Sequence, residues 1–249
     1  MTLQHISTEE LVKEVCPLIG NTGWAYYFAP NTQAKGAELG LEGMEFYVAG
    51  RGGPLGDCDG STLAAAFGYF NPATIGAAWE SAKKKVSPRV AGKAHLACCA
   101  EHGRNKLAGI AGLAEFVAAA DKVNNAADPD GLMLYAAIKA EPLADDLPGR
   151  AMQLVTVLRE FRGSAHLLAL RALGLDSKTA HFVKRPNDVK MFGWTEADTP
   201  PIDDDVRARM DAAEELTDKL VAPAYGVLNQ DERKALLDGA KAVAAALSA

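Results

Sequence analysis

The chain has 249 residues, is 49% apolar but only 7% aromatic, and carries a net charge of −6. A chain of this size buries roughly 70–75% of its unfolded surface, so a core needs neither disulfide nor metal. The acidic balance speaks against nucleic acid, whose partners usually carry a basic excess; Glu9, Glu10 and Glu14 interrupt any signal-peptide core, and no apolar run approaches the about 18 residues of a membrane span. A cytoplasmic protein without a membrane partner is expected, with Cys16, Cys58, Cys98 and Cys99 as reduced thiols.

Thr8-Glu9-Glu10 opens a first helix through about Cys16, where Pro17 marks a break or kink. A second helix follows Ala29-Pro30-Asn31, covers Gln33–Leu39 and stops at Gly40, and a third spans about Gly43–Gly50. Gly52-Gly53-Pro54-Leu55-Gly56 is a turn-rich connector. Asp59 and Ser61 cap a helix carrying Ala64–Phe70, and after Asn71-Pro72 another helix runs through Lys85. Pro88 begins a long helical region to about Asn124, bent at Gly103; a loop to Asp130 precedes a helix at Gly131–Lys139. The polar stretch Glu141–Pro148 reads as a boundary between an N-terminal half, 1–140, and a C-terminal half, 149–249, within one compact unit.

Leu154, Leu158, Phe161, Ala165, Leu168, Ala172 and Leu175 then recur at steps of four and three, the stripe of a core-facing helix. Arg159, Arg162 and His166 stack beside that stripe, and Gly163 sits among them at a cost of about 1 kcal/mol relative to Ala. A shorter helix near Ser177–Lys184, an irregular stretch 186–201 and helices over Asp203–Leu220 and Asp231–Leu247 complete the chain. Beta-branched alternation is nearly absent, so the expected fold is all-α, in two helical halves. Leu39-Gly40-Leu41 followed by Arg51 is echoed by Leu173-Gly174-Leu175 followed by Arg185, which reads as a pseudo-repeat of two helix-turn-helix-like modules.

Tyr27-Phe28-Ala29-Pro30, Ala49-Gly50-Arg51 with Pro54-Leu55-Gly56, Leu158-Arg159-Glu160-x-Arg162-Gly163-x-x-His166, Gly193-Trp194 and Thr217-Asp218-x-Leu220 form an ordered motif set. Together they resemble a family of actinobacterial proteins known as a helix-turn-helix family, whose biochemical role is largely undefined. The resemblance covers Tyr27 to Leu228 and implies a winged-helix-like segment between the Gly-Trp and Thr-Asp motifs. Here that connection is short and rich in acids, including Asp203, Asp204 and Asp205, where a DNA-reading helix would carry Arg, Lys, Asn or Gln.

Two constellations carry candidate chemistry. His95, Cys98, Cys99 and His102 lie at i, i+3, i+4 and i+7, a spacing at which two could bind one transition metal while a second helix completes the site. Arg159 and Arg162 could clamp a carboxylate or phosphate, and His166 could ligate a metal or haem or act as acid or base. Alternatively these three pair with Glu160 or with the acids around Asp203–Asp205, and the cysteines are small core residues.

The leading reading is a small-molecule-binding protein whose pocket, formed by His166, Arg162, Arg159, Arg51, Tyr27 and Phe70, takes a planar or anionic ligand between the halves. Alternatives are a haem- or metal-dependent enzyme using His166 and a helix-turn-helix transcriptional regulator. A homodimer is expected through the stripe Leu236, Ala240, Val243 and Leu247.

Overall fold

The computed structural model describes residues 5–248. Among the described residues there are twelve α-helices and no strand, so the chain is all-α. In order they are α1 (Thr8–Thr22), α2 (Pro30–Glu38), α3 (Met44–Gly52), α4 (Gly60–Phe67), α5 (Pro72–Lys83) and α6 (Pro88–Leu107). The second set is α7 (Leu113–Ala126), α8 (Met133–Lys139), α9 (Leu147–Ala172), α10 (Ser177–Lys184), α11 (Asp204–Tyr225) and α12 (Gln230–Ser248). No helix is long and apolar enough to cross a membrane among the described residues.

Local chemistry accounts for most boundaries. Ser7 and Glu10 form a reciprocal capping box at the start of α1, and Asp59, Asn71, Asp146, Asp176 and Asp203 each accept a backbone N–H at the start of a helix. Two expectations shift. Pro17 does not end α1, which runs on to Thr22. An interior proline costs about 3 kcal/mol, but Val15, Cys16 and Ile19 around it are buried, and burial is worth about 1.5–3 kcal/mol for a large aliphatic side chain. The long region from Pro88 breaks at Gly109 and Gly112, both at positive φ, and not at Gly103. A Cβ on Gly103 would lie 2.2 Å from the Pro148 carbonyl oxygen, so that glycine lets α6 approach the start of α9.

α9 is the axis of the molecule, contacted by α1, α6, α7, α8, α10 and α11. Its apolar stripe holds from Leu154 through Ala165; beyond that the buried apolar positions of the helix are Ala169 and Leu170, while Leu168 and Ala172 face solvent. One continuous core draws side chains from α1, from α3 to α9 and from α11 and α12, so the two halves share it across Glu141–Pro148. A second, smaller cluster of Ala169, Leu170, Leu175, Ala180, Val206, Met210 and Ala213 joins the end of α9 to α10 and α11.

Leu236, Ala240 and Val243 of α12 are buried in the main core, with α12 lying against α7 and α1. A Cβ on Gly239 would sit 2.4 Å from Phe116 Cβ. The stripe that suggested a homodimer is therefore covered by the chain itself.

The echo between the halves has a local origin. At the end of α2, Gly40 has φ +71° and the Leu41 N–H donates to the Gly36 carbonyl; at the end of α9, Gly174 has φ +69° and the Leu175 N–H donates to the Leu170 carbonyl. Both are helix terminations with a left-handed glycine and a leucine folded back onto the helix. The arginines diverge: Arg51 is inside α3 and mostly buried, while Arg185 follows α10 and is exposed.

Candidate functional site

A cavity of about 560 Å³ opens beside the middle of α9, walled by α1, α3, α4, α10 and α11. The turns of α9 after Leu158 carry its polar wall, because Arg159, Glu160, Arg162, Gly163 and His166 flank the core stripe on the side left open by neighbouring helices. A Cβ added at Gly163 would meet no atom within 4 Å, so this glycine faces open space and not a packed neighbour.

The deep part is an ionic cluster around Glu160, whose side chain is 2% exposed. Arg51 binds it in bidentate fashion, Nε to Oε1 at 2.9 Å and Nη2 to Oε2 at 2.8 Å. Arg159 Nη1 donates to Oε1 at 2.8 Å, and the Tyr27 hydroxyl donates to the same oxygen at 3.0 Å. Arg51 also donates to the Tyr47 hydroxyl at 3.0 Å and lies 4.3 Å from the centre of the Phe67 ring. Burial pushes the Glu160 carboxyl up, but the charges of Arg51 and Arg159 with the Arg51 and Tyr27 hydrogen bonds outweigh it and hold the group at about 2.

The outer part is centred on Glu214 of α11. Arg162 Nη2 donates at 2.9 Å to both Glu214 and Asp218, and Lys184 Nζ lies 3.0 Å from Glu214. His166 Nδ1 is 2.8 Å from Thr217 Oγ1, which in turn donates to the Ala213 carbonyl at 2.6 Å. The threonine has one proton and has spent it on Ala213, so His166 donates from Nδ1 and its Nε2 carries the lone pair, 4.0 Å from Glu214. Burial lowers the His166 pKa, with Glu214 opposing, and favours this neutral form.

The third wall is aromatic. Phe70 stacks on Phe192 at 4.2 Å, and the His181 ring lies tilted against Phe192 at 4.0 Å. Tyr69 adopts φ +61°, a strained conformation for a non-glycine residue, held by Ser177 Oγ on its N–H at 3.0 Å and by Trp194 Nε1 on its carbonyl at 2.6 Å. His181 is buried, and its Nε2 has no hydrogen-bond partner among the described residues.

His166, Arg162, Arg159, Arg51 and Phe70 thus all line this cavity, whereas Tyr27 reaches it only through its hydroxyl on Glu160. The pairing alternatives divide: Arg159 meets Glu160, but Arg162 meets Glu214 and Asp218, while Asp203 caps α11 and Asp205 pairs with Arg209. The sequence reading missed Glu160 as the centre of the deep cluster, and Glu214, His181 and Phe192 as wall residues. Glu160 carried one readable signal: it adjoins Phe161 at the edge of the stripe, where a solvated acid is out of place.

The four side chains of the expected metal string are spread over separate partners. His95 Nδ1 is 3.0 Å from the Tyr26 hydroxyl, Cys99 Sγ is 3.4 Å from Thr156 Oγ1, Cys98 lies toward Thr32 of α2, and His102 is half-buried. Neighbouring elements occupy their side of α6 separately, and no group of three or more His, Cys, Asp or Glu side chains among the described residues is placed to hold a metal ion. His166 likewise has Thr217 and Glu214 as neighbours and belongs to no group of three or more such side chains among the described residues. The winged segment is also absent among the described residues: after Trp194 the chain makes a single 3-10 turn at Glu196–Asp198 and enters α11.

The motifs behind the family resemblance converge here, for Tyr27, Arg51, Arg159, Arg162, His166, Trp194, Thr217 and Asp218 all touch the cavity or hold a residue that does. A family model described as a helix-turn-helix family matches residues 13–198. The chain belongs to that helix-turn-helix family. No curated protein and no solved structure matches it.

Proposed function

We propose that this protein binds a small organic anion with a planar or apolar body in the cavity beside α9. The observation that carries the reading is the imbalance of the deep cluster, where two guanidiniums, Arg51 and Arg159, share the single carboxylate of Glu160. Buried charges are costly unless paired, and a ligand carboxylate or phosphate against Arg159 supplies the missing partner. The whole wall repeats the bias, with Arg51, Arg159, Arg162, Lys184 and Arg185 against Glu160 and Glu214 in a protein of net charge −6. Tyr47, Phe67, Phe70 and Phe192 offer ring faces to the rest of the ligand, and the volume falls within the about 300–1,000 Å³ usual for such sites.

Thermal-shift and calorimetric titrations with aryl and alkyl carboxylates and phosphates, each beside its neutral amide, test the reading. Stabilisation by the anions alone, lost in Arg159→Met, is expected. Equal responses to anion and amide would sink it.

Family membership favours a second reading, a regulator that binds duplex DNA. Against it, α10, the helix after the tight turn of α9, buries Thr179, Ala180, His181 and Phe182, and α11 beside it begins with Asp203–Asp205. A mobility-shift titration at low salt distinguishes the two: tight, sequence-selective and salt-sensitive binding would establish the regulator.

A further inference from the structure

A second cavity of about 340 Å³ lies between α2 and α3, bordered by Tyr27, Phe28, Phe46, Tyr47 and Leu41. Tyr47 borders both cavities. Its hydroxyl accepts from Arg51 and its neighbour Tyr27 donates to Glu160, so two tyrosines reach from this apolar cavity into the deep ionic cluster. An anion seated on Arg51 and Arg159 is therefore one tyrosine ring away from the second cavity.

Independently, that cavity holds an unsatisfied group. Thr32 is 0% exposed and borders the cavity, and its Oγ1 has no hydrogen-bond partner among the described residues beyond a weak contact with the soft Cys98 thiol. A buried hydroxyl left unpaired is costly. Phe28, which stacks on Tyr47 at 5.6 Å, is 42% exposed and gives the cavity a side open to solvent.

We infer that the two cavities form one bipartite site for an elongated organic anion, the head on the Arg51–Arg159 cluster and a largely apolar tail, carrying one hydrogen-bonding atom, in the second cavity beside Thr32. The inference rests on the anion-binding reading of the first cavity. Tail length, and not head charge alone, then sets affinity.

The test is calorimetric titration of the full chain with n-alkyl carboxylates from butanoate to dodecanoate and with their terminally hydroxylated counterparts. Affinity should rise about fourfold per methylene over part of the series, the transfer free energy of one buried CH₂, and a hydroxylated long member should bind more tightly than the plain one. Ala37→Trp and Gln33→Trp, at exposed positions bordering the second cavity, should flatten the length dependence while leaving butanoate binding unchanged. Anion binding independent of tail length, or a length dependence untouched by both variants, overturns the bipartite site while leaving the anion reading standing. Equal affinity for plain and hydroxylated tails removes Thr32 from the site; failure of every alkyl carboxylate to bind overturns the bipartite site, and failure of the aryl carboxylates and the phosphates as well overturns both readings together.

Discussion

The two ionic clusters that α9 presents to the cavity, one turn apart, solve different problems. The outer one is balanced, with Arg162 and Lys184 against Glu214 and Asp218, and it is partly wet, Glu214 being 33% exposed. It clasps α9, α10 and α11 and needs nothing more. The deep one is drier at its centre, where Glu160 is 2% and Arg51 10% exposed beside Arg159 at 22%, and it is unbalanced, two arginines to one glutamate. Ion pairs near water contribute little, typically 0 to about 1 kcal/mol, while a buried charge stripped of its partner costs about 3–5 kcal/mol. On the proposed reading the same residue types serve as a fastening in one place and as a receptor in the other, and burial decides which.

The largest expected effect comes from removing the shared carboxylate. Glu160→Gln leaves Arg51 and Arg159 facing each other without a counter-charge and should cost about 3–5 kcal/mol in urea unfolding, whereas Asp218→Asn, which leaves Arg162 its bond to Glu214, should cost about 1 kcal/mol or less. Comparable losses in the two variants would abolish the distinction between clusters.

Acid titration sharpens it further. Burial holds His95, packed between the Tyr26 and Phe46 rings, at about 3 against an ordinary 6.5. The unfolded chain therefore takes up its proton first, and stability falls as pH drops from about 6.5. Glu160 and Glu214, both held at about 2 against an ordinary 4.5, contribute stability that is complete above about pH 4.5 and lost as pH falls toward 2. A two-stage decline in unfolding free energy is expected, with the upper stage reduced in His95→Asn and its remainder carried by His102, His166 and His181, which burial also holds low; a flat profile between pH 6.5 and 4.5 in the parent would contradict the burial argument.

In the outer cluster, His166→Ala removes one hydrogen bond without orphaning Thr217, which keeps its bond to Ala213. A stability loss of about 1 kcal/mol with the anion response retained is expected from paired melting and binding curves. Loss of the anion response at unchanged stability would extend the receptor to the outer cluster. Smallest is Gly163→Ala, which relieves about 1 kcal/mol of helix cost into open space; the variant should melt slightly higher and bind its anion more weakly, and unchanged affinity would mean the glycine does not keep the cavity clear.

The α9 flank was legible because helical spacing alone stacks Arg159, Arg162 and His166, and the capping residues marked most helix starts. Arg51 was found through the pattern shared with Arg185, although the pattern itself belongs to the turn and not to the arginine. What stayed hidden depends on distance along the chain. Glu214 and Thr217 reach Arg162 and His166 from 51 to 52 residues away, and Phe192 reaches Asn71 from a stretch that has no periodicity. His95, Cys98, Cys99 and His102 misled for the opposite reason, since their regular spacing is real but three different neighbours divide them.

The twin helix endings at Gly40 and Gly174 bear on ancestry. In each, a leucine precedes the glycine to close the last turn and another follows it to reach back onto the helix it has left. Any helix forced to reverse onto its own apolar side is drawn toward Leu-Gly-Leu, whatever its descent. Likeness between the two halves of this chain is then convergence imposed by a hydrogen-bonding pattern about six residues long, and a history of gene duplication would have to be argued from residues that the turn does not dictate.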